Sequence, residues 1–293
     1  MIEREFGRSG LQVSALGFGA AHIGNHDVSD AEAERVLHRV LDLGVTLLDT
    51  ARGYGLSEER IGRFLRGRRG EYVLSSKGGY SAEGAQDWTG DSIRLGIEQA
   101  LQRLQTDHID IFHLHSPPLE TLRQEDLLSA LDAARQAGHI RVAAYSGENE
   151  ALAWAVESGR FGSVQTSVNL ADQWSLRHVL PQAKERGLGV IAKRPVANMA
   201  WTYPERPTGQ YPEVYWDRLQ QLQLNPGDLD WTSFALRYSA FAPGVDSVIV
   251  GTRSLQNLEH DARIVEQGPL PPELLATVDA AWQQHGHGWG GEV

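Results

Sequence analysis

The sequence contains no cysteine, only two methionines and only three lysines among its 293 residues. Without cysteine the chain can form neither disulfide bonds nor thiolate metal sites, and it has no thiol nucleophile. No run of 18 or more apolar residues occurs, so we expect no transmembrane helix and no membrane partner. The first residues lack the basic and then apolar pattern of a secretory leader. We therefore expect a cytoplasmic protein.

Acidic residues outnumber basic ones, 38 to 27, which gives a formal net charge of −11. A field of that sign repels a phosphate backbone, so we expect no nucleic-acid partner. The basic residues are arginines except for Lys77, Lys184 and Lys193. Because surroundings can tune the pKa of lysine but not of arginine, a retained lysine is a candidate for chemistry. Codon usage explains the excess of arginine over lysine equally well.

Short apolar runs alternate with amphipathic helical segments along most of the chain. The runs have the composition of strands buried on both faces. They cover residues 15–19, 46–49, 72–76, 109–114, 140–145, 163–166, 189–192 and 247–250. Between two of these runs, Ile93, Ile97 and Leu104 follow the spacing of one helix face, with Asp91 as the expected N-cap.

Four helical segments end at a glycine that leads into the next apolar run, at Gly44, Gly138, Gly159 and Gly187. Glycine suits the left-handed position that ends a helix. Repeated helix–glycine–strand joints indicate βα units, and eight such units predict an α/β fold, a (β/α)8 TIM barrel. A doubly wound sheet is the alternative. The segment GFGAAH at 17–22, however, lacks the third glycine of a G-x-G-x-x-G turn.

Three segments lie outside this repeat. Residues 2–13 predict an N-terminal hairpin that closes one end of the barrel. Residues 194–228, rich in Pro, Tyr and Trp, predict a long insertion after the seventh strand. Residues 285–293, the C-terminal tail, contain HGHGWGG and are predicted to be mobile. No linker divides the chain, so we expect residues 1–293 to form a single domain. The two tail histidines have no acidic neighbour, and we expect no metal site.

Reactive side chains follow three consecutive predicted strands, where barrel enzymes place their active sites. Asp49 ends the second run, with Tyr54 in the loop beyond it. Lys77 follows the third run and His115 the fourth. A free phenol is too weak an acid for neutral pH, but a nearby ammonium favours phenolate. A carboxylate would hold that ammonium, and a histidine would orient a carbonyl oxygen. Alone, each residue has ordinary structural roles, but together they predict protonation of a developing alkoxide.

The motifs LDTA at 48–51, YG at 54–55, LSSK at 74–77 and ALQRLQTDHIDIFHLH at 100–115 resemble the aldo-keto reductases. The resemblance extends from about residue 2 to about residue 265. It implies an NADPH-dependent reductase of an aldehyde or ketone on a (β/α)8 barrel. It also implies that Tyr54 is the general acid, that Lys77 and Asp49 activate it, and that His115 orients the carbonyl.

The same resemblance implies a set of cofactor contacts. Ser146 and Gln165 match positions that bind the nicotinamide carboxamide, and residues 251–254 match the segment that holds the adenosine phosphate. A helix N-terminus with an arginine is also an anion site on physical grounds. The implied cofactor residues are Gly19, Ser146, Gln165, Arg194, Gly251, Thr252, Arg253 and Asn257. Because of Arg253 we expect NADPH rather than NADH.

The sequence departs from the family pattern at several of these positions. Gly147 replaces an asparagine, and KRP at 193–195 replaces the aromatic that stacks on the nicotinamide, where Arg194 could stack instead. Asp261 adds negative charge near the phosphate pocket. Trp88 and Trp201 are expected to line the substrate pocket, although packing of the insertion explains them equally well.

Two other functions compete with the reductase. Lys77 could form a Schiff base in a lyase or aldolase, although a lysine paired with Asp49 stays protonated. The chain could also be a regulatory subunit that binds NADPH as a sensor and turns over slowly.

Overall fold

The computed structural model describes all 293 residues, and its eight central strands close into a barrel. Each strand pairs in parallel with the next, and the last pairs with the first. The predicted barrel is thereby confirmed. The barrel strands are β3 (Leu16–Gly19), β4 (Leu47–Asp49), β5 (Val73–Gly78), β6 (Ile109–His115), β7 (Ile140–Ser146), β8 (Ser163–Ser167), β9 (Gly189–Lys193) and β10 (Ser247–Val250).

Helices surround the barrel and connect its strands. They are α1 (Asp30–Asp42), α2 (Ser57–Leu65), α3 (Gly90–Leu104), α4 (Leu119–Leu122), α5 (Glu125–Gln136), α6 (Asn149–Ser158), α7 (Trp174–His178), α8 (Leu180–Arg186), α9 (Glu213–Leu222), α10 (Trp231–Ala240), α11 (Leu255–Glu266) and α12 (Pro272–His285). The four predicted glycine joints all have positive φ, between 69° and 79°. None of the helices is long and apolar enough to cross a membrane.

The start of α3 differs from the prediction. Thr89, not Asp91, is the N-cap. Its side chain accepts a hydrogen bond from the Ser92 amide at 3.2 Å, and Ser92 Oγ accepts one from the Thr89 amide at 3.1 Å. This reciprocal capping box satisfies two donors, whereas Asp91 lies in the first turn of the helix.

The N-terminal hairpin covers the bottom of the barrel, away from the C-terminal ends of its strands. It consists of β1 (Glu3–Glu5) and β2 (Gln12–Ser14), paired antiparallel. Phe6, Leu11 and Val13 are buried in one cluster with side chains from the barrel strands, among them Ile111 and Ile191. The hairpin therefore completes the core at this end and leaves the opposite mouth free for a site.

The insertion after β9 adds a second, smaller core beside the barrel. Residues 197–202 form a 3-10 segment, and α9 follows. Tyr215 of α9 packs with Leu170, Phe234 and Val278, which come from a loop, α10 and α12. The aromatic residues of the insertion thus serve largely to attach it to neighbouring helices.

Candidate active site

Asp49 and Lys77 form a buried ion pair at the C-terminal mouth of the barrel. Asp49 is the last residue of β4, and Lys77 lies near the end of β5. Lys77 Nζ donates to Asp49 Oδ2 at 2.5 Å and to the carbonyl oxygen of Thr50 at 2.9 Å. Ser75 Oγ donates to the other carboxylate oxygen at 2.7 Å. Hydrogen bonds to both carboxylate oxygens therefore fix the pair in position.

Burial and pairing act in opposite directions on these two charges. Burial, the largest single effect, disfavours the Asp49 carboxylate, but the nearby positive charge and the hydrogen bonds from Lys77 and Ser75 together outweigh it, and the pKa of Asp49 lies below its ordinary value. Burial, again the largest single effect, disfavours the Lys77 ammonium, but the charges of Asp49 and Tyr54 and the hydrogen bonds with them together outweigh it, and the pKa of Lys77 lies above its ordinary value. Both groups are therefore charged at neutral pH.

Tyr54 lies next to this ion pair, in the loop between β4 and α2. Lys77 Nζ lies 4.9 Å from the centre of its ring. The ring meets His115 edge-on, with centroids 6.0 Å apart. A Cβ on Gly24 would lie 1.8 Å from the Tyr54 carbonyl oxygen, so glycine is needed for this path of the loop. The phenol therefore has a cation and an imidazole as neighbours.

His115, at the end of β6, is neutral and contacts a tyrosine that the sequence analysis missed. Burial, followed by the charge of Lys77, lowers the pKa of His115 to about 3. The hydroxyl of Tyr80 lies 2.8 Å from His115 Nδ1. One signal for Tyr80 was available, because it follows Lys77 by three residues across the pair Gly78 and Gly79. A glycine at the end of a strand and another directly after it allow the chain to turn back over the mouth.

Ser146 and Gln165 connect to the ion pair across the barrel. Ser146 Oγ donates to Gln165 Oε1 at 3.1 Å, and Gln165 Nε2 donates to Asp49 Oδ1 at 2.9 Å. All three side chains are buried. The two residues expected to bind a carboxamide thus already belong to the hydrogen-bond network of Asp49.

His113 lies inside the barrel, two residues before His115 on β6. It is fully buried, and neither of its ring nitrogens has a protein hydrogen-bond partner. Burial lowers its pKa to about 3, so the ring is neutral at pH 7. The hydroxyls of Ser163 and Ser247, on other barrel strands, are also buried without a protein partner. Buried polar groups of this kind are usually paired through internal water.

Two glycines bring main chain close together at the ends of β3 and β10. A Cβ on Gly251 would lie 2.7 Å from His22 Nδ1 and 2.9 Å from the carbonyl oxygen of Gly19. Just beyond, Ser254 caps α11, and its Oγ accepts from the Asn257 amide at 3.3 Å. Because α11 begins shortly after the C-terminal end of β10, its first turn lies on the side of the barrel that carries the mouth.

The first turn of α11 has the donors of an anion site. No protein acceptor pairs with the main-chain N–H groups of Leu255 and Gln256. Thr252 and Arg253 come directly before the cap. Arg253 is exposed, and its Nη1 donates to Asp27 Oδ2 at 3.0 Å. A phosphate at this end would therefore compete with Asp27 for the guanidinium.

The C-terminal tail is hydrogen-bonded to the rim of the mouth. The side-chain amide of Asn149 accepts from the Gly291 amide at 2.7 Å and donates to the Gly291 carbonyl at 2.9 Å. Asp172 Oδ2 accepts from the Glu292 amide at 2.9 Å. Arg194 Nη1 donates to the Glu292 carbonyl at 2.5 Å. The prediction of a mobile tail did not anticipate these partners, which come from the start of α6 and from the loops after β8 and β9.

Arg194, expected to stack on a nicotinamide, contacts residues of its own chain. Its guanidinium lies 5.0 Å from the centre of the Tyr211 ring. Its neighbour Lys193 pairs with buried Glu148 at 3.2 Å. Burial lowers the pKa of Lys193 despite this pairing. The rim between β7 and β9 thus carries a second lysine–carboxylate pair, in which the carboxylate is fully buried and the lysine is partly exposed.

The two tryptophans expected to line a substrate pocket lie in different places. The Trp88 ring is 5.8 Å from that of Tyr80, beside the catalytic candidates. Trp201 stacks on Trp231 at 5.7 Å and packs against the second core. Trp88 therefore lies at the mouth, whereas Trp201 attaches the insertion to α10.

The structure thus brings Asp49, Tyr54, Lys77 and His115 together at the C-terminal mouth of a (β/α)8 barrel. A carboxylate, a phenol, an ammonium and an imidazole at the mouth of a barrel are groups that can take part in proton transfer to a bound ligand. The sequence model of the aldo/keto reductase family matches residues 15–283. The chain belongs to the aldo-keto reductase family and is an NAD(P)H-dependent oxidoreductase.

Individual relatives agree with this assignment. L-galactose dehydrogenase of Arabidopsis thaliana is 28% identical over 94% of this chain and 93% of the relative. D-threo-aldose 1-dehydrogenase of a Pseudomonas species is 29% identical over 89% of this chain and 93% of the relative. The holo form of an aldo-keto reductase from Bacillus halodurans superimposes with a TM-score of 0.84, at 27% identity and 96% coverage of both chains.

Proposed function

We propose that the protein is an NADPH-dependent carbonyl reductase in which Tyr54 protonates the substrate oxygen. The observation that carries the proposal is the position of Lys77. Its ammonium lies 2.5 Å from Asp49 and 4.9 Å from the Tyr54 ring. It can therefore stabilise a phenolate while Asp49 keeps it charged and in place.

The four side chains divide the work of reduction. When bound, a nicotinamide cofactor would supply the hydride that reduces the carbonyl carbon. His115, as a neutral imidazole, donates a hydrogen bond to the carbonyl oxygen and orients it. Tyr54 transfers its phenolic proton to that oxygen, and Lys77 stabilises the phenolate that remains until solvent returns a proton.

The residues around α11 and β8 fit a phosphorylated nicotinamide cofactor. Arg253 and the free N–H groups of α11 would hold the phosphate, with Thr252, Asn257 and the close pair Gly19 and Gly251 shaping the turn. Ser146 and Gln165 would hold the carboxamide.

Asp261, in α11, opposes phosphate binding less than its charge suggests. Burial, with a contribution from Asp230, raises the pKa of Asp261 to about 7. Its carboxyl is therefore partly protonated at neutral pH, which reduces the repulsion of a phosphate.

The Schiff-base alternative is disfavoured by the same ion pair. A lysine that attacks a carbonyl must first lose its proton. Although burial of the side chain lowers the pKa of Lys77, Asp49 and Tyr54 together raise it above the ordinary value. The chemistry of Lys77 is therefore electrostatic in this proposal.

The first test is nucleotide binding, because it needs no knowledge of the substrate. The eight tryptophans supply an intrinsic fluorescence signal for titration with NADPH and with NADH. We expect NADPH to bind at least about tenfold more tightly than NADH. The substitution Arg253→Ala should lower the affinity for NADPH about tenfold or more, because a charge-assisted contact to phosphate is lost. The affinity for NADH should stay nearly unchanged.

The matched control is Arg94→Ala, which removes an exposed arginine of α3 that pairs with Asp91. It should leave both affinities unchanged. If neither nucleotide binds the unmodified protein, the reductase and sensor functions both fail. Equal loss of NADPH and NADH affinity in the Arg253 variant would overturn the assignment of the phosphate site.

Turnover then separates the reductase from the sensor. We expect a panel of aldehydes, ketones and aldoses to reveal a substrate, and the two relatives named for L-galactose and D-threo-aldose justify testing oxidation as well. Tyr54→Phe should lower kcat by a factor of about 10² to 10⁴ without lowering the affinity for NADPH. Tight NADPH binding with no turnover above this variant would favour the sensor.

A further inference from the structure

Tyr80 is placed against His115 by the chain that surrounds it. Gly79 has a φ of 121°, and a Cβ there would lie 2.2 Å from the Trp88 ring, so only glycine allows the turn after β5. The Trp88 amide donates to the Gly79 carbonyl at 2.7 Å. On the other side, a Cβ on Gly53 would lie 3.0 Å from the Tyr80 hydroxyl. The phenol therefore has a defined position between a tryptophan and the loop that carries Tyr54.

The hydrogen bond between Tyr80 and His115 has one favourable direction. Burial lowers the pKa of His115 to about 3, so its ring carries a single N–H at neutral pH. Burial also raises the pKa of Tyr80, which keeps its O–H intact. Tyr80 has no other protein hydrogen-bond partner. If Nδ1 carried the proton, the phenol would accept from it and its own O–H would lack a protein acceptor.

The remaining nitrogen of His115 is free to act on a ligand. Nε2 has no protein hydrogen-bond partner, whereas Nδ1 is 2.8 Å from the Tyr80 oxygen. A neutral imidazole can be a donor at one nitrogen only, and the partner of the other nitrogen decides which one. An acceptor role for Nδ1 makes Nε2 the donor.

We propose that Tyr80 is a positioning residue that fixes the proton of neutral His115 on Nε2, so that the imidazole can donate to the substrate oxygen. Tyr80 itself transfers no proton to the substrate. The inference rests on the proposed role of His115, but the tautomer can be measured without cofactor or substrate.

The direct test is nitrogen NMR of protein labelled with ¹⁵N-histidine, in the nucleotide-free state at pH 7. His115→Asn identifies the His115 signals among the eleven histidines. We expect the unmodified protein to show a protonated Nε2 and a free Nδ1 at this residue. In Tyr80→Phe the two tautomers should both be populated, because the phenol no longer selects one.

Kinetics give the second readout. Tyr80→Phe should lower kcat by about tenfold and change NADPH affinity little, since one neutral hydrogen bond is lost. The matched control is Tyr72→Phe, the same change at the opposite end of β5. That tyrosine is buried, and the Arg69 side chain donates a hydrogen bond to its main-chain oxygen and not to its hydroxyl. The control should leave both the His115 signals and kcat unchanged.

Two results would overturn the proposal. The first is a proton on Nδ1 in the unmodified protein. The second is an unchanged tautomer in Tyr80→Phe, and if this variant also loses turnover as completely as Tyr54→Phe, Tyr80 acts as a direct acid. Failure of the reductase function itself would instead be seen as absent nucleotide binding, with the NMR result unaffected.

Discussion

At the scale of single residues, the site depends on charges held in a buried environment. Asp49 accepts hydrogen bonds from Lys77, Ser75 and Gln165, so the carboxylate is satisfied although it is buried. Removing one partner of such a pair leaves an uncompensated charge, which is why these residues can be exchanged only together. His113 is the exception nearby, because no protein group pairs with it.

His113 should make the protein sensitive to acid. Burial lowers its pKa to about 3, whereas an unfolded histidine titrates near 6.5. Between these pH values the unfolded chain binds a proton that the folded chain does not. The free energy of unfolding therefore decreases as the pH is lowered, by up to about 1.4 kcal/mol per pH unit. His113→Leu should therefore gain stability relative to the unmodified protein as the pH falls from 7 to 4, measured by urea unfolding.

The pH dependence of the unfolding free energy must be compared between variants. The pH dependence of the unmodified protein alone is not informative, because other groups with shifted pKa values stabilise the fold as the pH is lowered. Burial raises the pKa of Asp172 and Asp261 to about 7 and that of Asp246 to about 6. These carboxyls bind protons in the folded state and so stabilise it on acidification. His26→Leu, at an exposed histidine, is the control. A difference between His113→Leu and the unmodified protein that does not change with pH would refute the prediction.

At the scale of elements, the mouth is built from loops and ends of helices. The first turn of α11 supplies main-chain donors, and the tail adds backbone groups to the rim near β7–β9. Arg218 also donates to the tail, at the Gly290 carbonyl. Gly291 can lie close to Glu148 because glycine has no side chain: a Cβ on Gly291 would lie 3.2 Å from that carboxylate.

The docked tail should be visible by hydrogen exchange. The amides of Gly291 and Glu292 donate to Asn149 and Asp172, so we expect both to exchange at least about tenfold more slowly than an unstructured peptide. Asn149→Ala removes two of the tail contacts and should speed the exchange of Gly291. Peptide-level mass spectrometry of the C-terminus gives the rates.

The control for this measurement is Thr277→Ala, in α12, where the side chain bonds only to its own helix. It should leave the exchange of the tail unchanged. Exchange of both amides at unstructured rates in the unmodified protein would instead support the mobile tail that its composition predicts.

At the scale of the whole molecule, the two ends of the barrel have separate tasks. The hairpin and the lower barrel side chains form one core at the bottom. The charged and titratable groups of the site lie at the strand ends that form the mouth. Substitutions at the bottom of the barrel should therefore change the free energy of unfolding, and substitutions at the mouth should change the chemistry.

Phe6→Ala tests this separation. Phe6 is fully buried, and its ring lies so close to Gly189 that a Cβ there would be 2.4 Å away. Its truncation should cost about 3 to 5 kcal/mol of unfolding free energy, because a cavity forms in the barrel end. At a temperature where the variant remains folded, kcat should stay within about twofold of the unmodified value.

Denaturant unfolding and steady-state kinetics on the same preparation measure both effects. Phe64→Ala, at a partly buried phenylalanine of α2 on the outside of the barrel, is the comparison and should cost less stability. A large fall in kcat for folded Phe6→Ala would show that the two ends are coupled.

The sequence alone determined the eight strands, the glycine joints and the strand-end positions of Asp49, Lys77 and His115. These features depend on local composition and on a repeated pattern, and a barrel converts order along the chain into neighbouring positions at one mouth. Only the tertiary structure decided which groups pair there. Tyr80 and His115 are 35 positions apart, Gln165 and Asp49 are 116 apart, and Asn149 and the tail are 142 apart. Such contacts depend on side-chain directions and loop paths, which no periodicity in the sequence encodes.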